Sequence, residues 1–163
     1  MKWEANFVIE VLFMRKRIER PAETPPEVYD YWHQRWAEYL NQHYKERFAK
    51  AGVVDVSFTE KCPDCPDGTG AFHYQFSSDG TLEFTDREGG AIIEYDSYDI
   101  GYRLLGDENY DAMELLEKGA IRYSKNLEHF VMLAELLPLM REALHVAIAD
   151  AENKFNIEMP KYQ

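Results

Sequence analysis

The sequence is short of cysteine, of basic charge and of long apolar runs, and each shortage excludes a class of protein. Two cysteines in 163 residues cannot build the disulfide framework of a small secreted domain. Only 18 side chains are basic against 30 acidic, a formal net charge of -12. Phosphate contacts need Lys and Arg clustered on one face, so nucleic acid is not expected as a partner, and anionic lipid surfaces are disfavoured too. The longest apolar stretch near the start, Phe7 to Met14, contains Glu10 and is far shorter than the ~20 residues of a spanning helix. Lys2 alone precedes it and Arg15-Lys16-Arg17 follows it, the reverse of a secretory signal. A cytoplasmic protein with no stable membrane insertion is expected.

Motifs for common chemistries are missing as well. There is no Gly-x-Ser-x-Gly nucleophile elbow, no glycine-rich phosphate pattern and no His-Glu-x-x-His. Asp67-Gly68-Thr69-Gly70 reads as a turn before a strand. The acidic region from Asp96 to Glu117 lacks the alternating ligands and closing Glu of a calcium loop and reads as a solvated face. No internal repeat or second-domain boundary is visible, and Pro21–Pro26 is the one candidate linker.

What is present is globular: 45% hydrophobic, 29% charged and 14% aromatic, with 11 Tyr, 9 Phe and 3 Trp. Aromatics in this number fill a core or line a cavity for a flat or greasy ligand. Residues 1–20 place Trp3, Phe7, Val11, Met14 and Ile18 at helical spacing, although Phe7-Val8-Ile9 would also suit a strand. This segment is the basic part of the chain, either packed on the body or touching a membrane or partner. A helix is predicted from Thr24 to Ala51, with Thr24 as cap, Pro25 in the first helical position, Glu27 completing a capping box and Gly52 closing it. Its stripe is Tyr29, Trp32, Trp36, Leu40, Tyr44 and Phe48.

Strands follow at 53–59, 71–76, 82–84 and 91–95, with turns at Ser78-Asp79-Gly80 and Arg87-Glu88-Gly89-Gly90. Tight turns between neighbours predict an antiparallel meander. Short helices are expected at 98–105 and 109–118, a strand at 120–123, and a long helix from Asn126 to about Ala151, kinked at Pro138. Residues 152–163 read as a frayed or loosely docked tail. In the long helix, ten of the fourteen residues from Leu127 to Met140 are apolar, so it is buried on several sides or borders a cavity or partner.

Cys62-Pro63-Asp64-Cys65 can chelate zinc, since this spacing lets two thiolates converge on one tetrahedral centre. His73 is the nearest further ligand. A redox role needs the first thiol at a helix start, and the following Pro66 to Gly70 is loop chemistry. A plain inter-strand loop is the third reading. Of the other histidines, His33 and His43 are too far apart for one metal, and His129 beside Glu128 could serve as a polar handle.

The order of elements resembles that of the sterol carrier protein type 2-like lipid-binding domains. The resemblance rests on a leading helix, a strand meander with the turns Ser78-Asp79-Gly80 and Glu88-Gly89-Gly90, the segment Asn109 to Gly119, the strand-like Ala120-Ile121-Arg122-Tyr123, and the apolar helix from Leu127. It covers roughly residues 27–145. Where the family has Gly-Asp or Gly-Asn before the last helix, this chain has Lys125-Asn126. The resemblance implies a single α+β domain over 27–151, with a mixed, mostly antiparallel sheet of about five strands and an apolar tunnel for a fatty acyl chain, sterol or similar ligand. It carries over no catalytic motif and no cofactor.

The expected function is therefore non-enzymatic binding of a hydrophobic ligand. Candidate lining residues are Phe84, Ile92, Tyr102, Leu105, Phe130, Leu133 and Leu137, with Tyr98 or His129 meeting a polar end. The alternatives are a homodimeric interaction module with a structural zinc site at Cys62, Cys65 and His73, and an enzyme using the cysteine pair.

Overall fold

The computed structural model describes residues 14–162. In chain order it holds β1 (Lys16–Arg17), a single 3-10 turn at Pro21–Glu23, α1 (Pro26–Lys50), β2 (Val56–Lys61), β3 (Ala71–Phe76), β4 (Leu82–Phe84), β5 (Ala91–Tyr95), α2 (Tyr98–Gly106), α3 (Ala112–Glu117), β6 (Ile121–Lys125), α4 (Leu127–Ala134), α5 (Leu137–Phe155) and β7 (Ile157–Glu158).

Helix α1 starts differently from the expectation. Pro25 is the cap and Pro26 the first helical residue, and no side chain caps the helix. The Thr24 hydroxyl donates instead to the Pro21 carbonyl at 2.6 Å and closes the preceding turn. Pro26 brings no N–H, so one donor that a cap would serve is missing. The other end is as expected. Gly52 takes φ +85°, its N–H bonds the Ala49 carbonyl and the Val53 N–H bonds the Phe48 carbonyl, a Schellman closure that favours glycine. The aromatic stripe turns inward, with Tyr29, Trp32, Trp36, Leu40 and Phe48 at most 3% exposed.

The main sheet runs β4-β3-β2-β5-β6. β2 and β5 are parallel and the other neighbours antiparallel, so the sheet is mixed rather than a simple meander. Residues 87–90 do not form a hairpin. They carry the chain from the edge strand β4 to β5 on the far side of β2. The Gly89 N–H bonds the Thr59 hydroxyl at 2.7 Å and the Gly90 N–H bonds the Ser57 hydroxyl at 2.8 Å. A Cβ on Gly89 would come within 2.5 Å of the Phe58 backbone, so this close crossing needs glycine.

Helices α1 and α5 lie side by side, and the Trp36 indole N–H bonds the Met140 carbonyl at 3.0 Å. The long helix expected over 126–151 is two helices. Glu135 and Leu136 separate α4 from α5, and Pro138 sits in the first turn of α5. A proline there has no intrahelical bond to lose, so it starts a helix instead of kinking one.

Both ends also differ from expectation. Residues 14–20 are not helical, while the part of the predicted first helix before Met14 lies outside the described residues. Residues 152–155 finish α5, and β7 pairs in parallel with β1. Ile18, Ile157 and Met159 are buried there, and nearly enclosed Glu152 meets Arg15 at 3.7 Å and Lys161 at 3.4 Å. The segment read as a loose tail is thus docked by apolar burial and a charge cluster. Among the described residues no helix is long and apolar enough to cross a membrane.

Candidate functional site: a cavity between sheet and helices

Alternation places one set of side chains from each strand on the face beneath the helices. Glu60 of β2 stands opposite Phe72 of β3 and Ile93 of β5, and Tyr74, Tyr95 and Tyr123 share that face. Over it lies a cavity of about 150 Å³. Trp32, His33 and Trp36 of α1, Tyr98, Tyr102 and Leu105 of α2, and Phe130 and Leu133 of α4 close it, with Leu137 and Met140 of α5 and the two cysteines. Most of this wall is carbon. Rings pack edge-on around it, with Trp36 against Tyr74 at 6.4 Å and Trp32 against Tyr102 at 6.1 Å between centroids.

Of the sequence candidates, Tyr98, Tyr102, Leu105, Phe130, Leu133 and Leu137 border this cavity. Three do not. Phe84 lies at the edge strand, 39% exposed and packed on Phe72. Ile92 is one residue out of phase with Ile93, so its side chain points to the other sheet face, that of Thr59. His129 packs edge-on to Phe58 at 6.3 Å, and its buried Nδ1 has no partner.

The most unexpected wall residue is Glu60. Among the described residues it is the one carboxylate on the wall, no Lys or Arg lines it, and it makes no ion pair. The Tyr95 hydroxyl donates to its Oε1 at 2.6 Å. Burial raises its carboxyl above the ordinary range, with the Tyr95 and Tyr74 hydroxyls opposing that shift. It retains some accessible surface because it borders the cavity. A signal for it was present: the alternation through Val56 and Phe58 puts residue 60 on the inward face, where a glutamate is out of place. The other polar groups here are His33, whose Nδ1–H donates to the Tyr29 carbonyl at 2.7 Å and whose pKa burial lowers to about 3, and the unpartnered Trp32 indole N–H and Tyr98 hydroxyl.

The cysteine loop is built into the same region. Asp64 accepts the Tyr98 backbone N–H and the Ser97 hydroxyl, each at 2.7 Å, which pins the loop to the start of α2. Both cysteines are free and buried. The Cys62 thiol, hydrogen-bonded to Cys65, is held above the ordinary thiol range. Cys65 is held below it by Cys62, aided by the Tyr29 hydroxyl 3.3 Å away. His73 does not join them. It lies on the opposite sheet face, bonded to the Thr59 hydroxyl at 2.8 Å, because residue 73 alternates away from Phe72 and Tyr74. No group of three metal-ligating side chains exists among the described residues, so the alternative zinc set of Cys62, Cys65 and His73 is not assembled.

No protein-family model matches the chain, and no curated protein matches it significantly. Solved structures do resemble it. A UbiJ-SCP2 ubiquinone synthesis protein aligns with a TM-score of 0.52 at 11% identity, over 71% of this chain and 96% of that one. The sterol carrier protein domain 2 of Helicoverpa armigera gives 0.46 at 13% identity, over 75% and 92%. A sterol carrier protein 2 crystal structure gives 0.45 at 19% identity, over 68% and 94%. At such identities the likeness is one of fold. A five-stranded mixed sheet under helices, in the same arrangement, gives this chain a sterol carrier protein type 2-like α+β fold.

Proposed function

We propose that the protein is a non-enzymatic carrier that binds a hydrophobic ligand, a lipid chain or similar molecule, in the cavity between sheet and helices. The observation that carries this reading is the cavity itself, a largely apolar space lined by α1, α2, α4 and the sheet. Removing apolar ligand surface from water supplies about 25 cal/mol per Å² before ordering costs.

The volume sets a condition. About 150 Å³ matches a void that holds a single benzene-sized ring, whereas drug-sized ligands occupy roughly 300 Å³ or more. A chain-length ligand must displace part of the wall. Helix α4 is the element suited to move, since only Leu133 of its eight residues is buried and a break at Glu135-Leu136 separates it from α5.

A homodimeric module is the second reading, supported by Leu127 and Val131, one turn apart on α4 and 50% and 58% exposed. Native mass spectrometry of the purified protein, compared with its denatured mass, separates the two. An added mass of a few hundred daltons that extracts into organic solvent is expected for a carrier. A dimer without it overturns that reading.

A further inference from the structure

Glu60 is an expensive residue for the middle of an apolar wall. It stands on the central strand of the sheet, between Phe72 and Ile93. A buried carboxylate normally needs a cation or a full set of donors, and among the described residues the wall provides no cation. Tyr95 supplies one donor at 2.6 Å. A carboxylate has about four lone-pair sites, so acceptor capacity remains on a group that borders the cavity.

We propose that Glu60, braced by Tyr95, is the recognition group of the cavity and accepts a hydrogen bond from the hydroxyl end of a neutral amphiphile. The inference rests on the carrier reading and narrows it to a ligand class. An alcohol or phenol places its O–H on Glu60 and its carbon on the aromatic wall. A free fatty carboxylate brings a second negative charge beside the first with no Lys or Arg to offset it, so it is rejected. A ligand with no polar group leaves Glu60 half satisfied, and unmet buried acceptors weaken binding.

Three ring probes of nearly equal shape fit the cavity as it stands: benzyl alcohol, ethylbenzene and benzoate. Trp32 and Trp36 line the cavity, so fluorescence excited at the tryptophan edge reports binding. Benzyl alcohol and ethylbenzene are expected to bind and benzoate is not. Glu60→Gln keeps the shape and removes the charge. It is expected to weaken benzyl alcohol about tenfold relative to ethylbenzene, and retained ethylbenzene binding also shows that the variant is folded.

Benzoate binding as tightly as benzyl alcohol, an unchanged ratio of alcohol to ethylbenzene in Glu60→Gln, or no binding of any probe each overturns the proposal. So does benzylammonium binding more tightly than benzyl alcohol, because that assigns Glu60 to a cation. The carrier reading falls separately, on the absence of extractable ligand in the mass measurement, so its failure is distinguishable from the failure of the Glu60 assignment.

Discussion

The Trp36 indole N–H bonds the Met140 carbonyl at 3.0 Å, a buried tie between the two long helices at the edge of the cavity, beside the outer bonds of Arg35 to Asp150 and of Tyr44 to Glu142. Met140 lies in the first turn of α5, where carbonyls already serve the helix, so the indole fixes where α5 begins relative to α1. Among the described residues the neighbouring α4 has no comparable tie, and Leu127 and Val131 face outward. Amide hydrogen exchange should therefore be faster across residues 127–134 than across 140–151. Equal protection would remove α4 as the moving part of the wall.

Leu133 is 4% exposed and lines the cavity from α4. A charge there faces the same apolar space a ligand must enter. Leu133→Asp should abolish ligand uptake, read as the loss of the ligand-dependent mass. Uptake by a folded variant at the wild-type level would take this residue out of the site.

His33 makes the stability dependent on pH. Its pKa falls to about 3 in the fold, from an ordinary 6.5, because burial disfavours the imidazolium. The folded state then binds fewer protons than the unfolded state between those values. Stability is full above pH 6.5 and is lost as pH falls towards 3. At pH 4 the loss from this residue is about 3 kcal/mol. Urea unfolding at pH 7.5 and pH 4 should show it, and the pH difference should shrink in His33→Phe. An identical difference in that variant would assign the acid sensitivity elsewhere.

Asp64 holds the cysteine loop through two bonds of 2.7 Å to Ser97 and Tyr98. Asp64→Ala should cost about 1–3 kcal/mol, since a buried N–H loses its partner. It should also raise the alkylation rate of Cys65, the thiol held below the ordinary range. Unchanged alkylation in the variant would show that the loop keeps its place without Asp64.

Gly80 combines φ +85° with a Cβ position 2.5 Å from the Lys45 carbonyl and 2.9 Å from the Ala49 nitrogen of α1. Both partners are helix backbone and cannot step aside. Gly80→Ala should destabilise by about 2 kcal/mol or more, seen as a lower urea midpoint. A shift near zero would mean that the turn rotates away from α1.

Several features follow from local order in the chain and were therefore legible in it. Gly52 ends α1 as its position after an aromatic stripe demands, and strands 71–76, 82–84 and 91–95 lie where alternation put them, because period-two patterning needs only near neighbours. Leu133, Leu137 and Phe130 stood out through apolar density alone. Thr24 failed as a cap because the choice of its hydroxyl's partner was settled by Pro21, and Ile92 failed because alternation gives the phase only once the register against β2 is known.

The sequence by itself determined the α+β class, the aromatic helix, the strands and the acidic surface, since these rest on spacing and composition. Tertiary structure alone decided the parallel pairing of β2 with β5, the docking of residues 14–18 against 157–159, and the gathering of Glu60, His33 and Tyr95 around one cavity. Those depend on which distant segments bury each other's apolar faces, and pairing across up to 141 residues, as from Lys16 to Ile157, leaves no periodic trace in the chain.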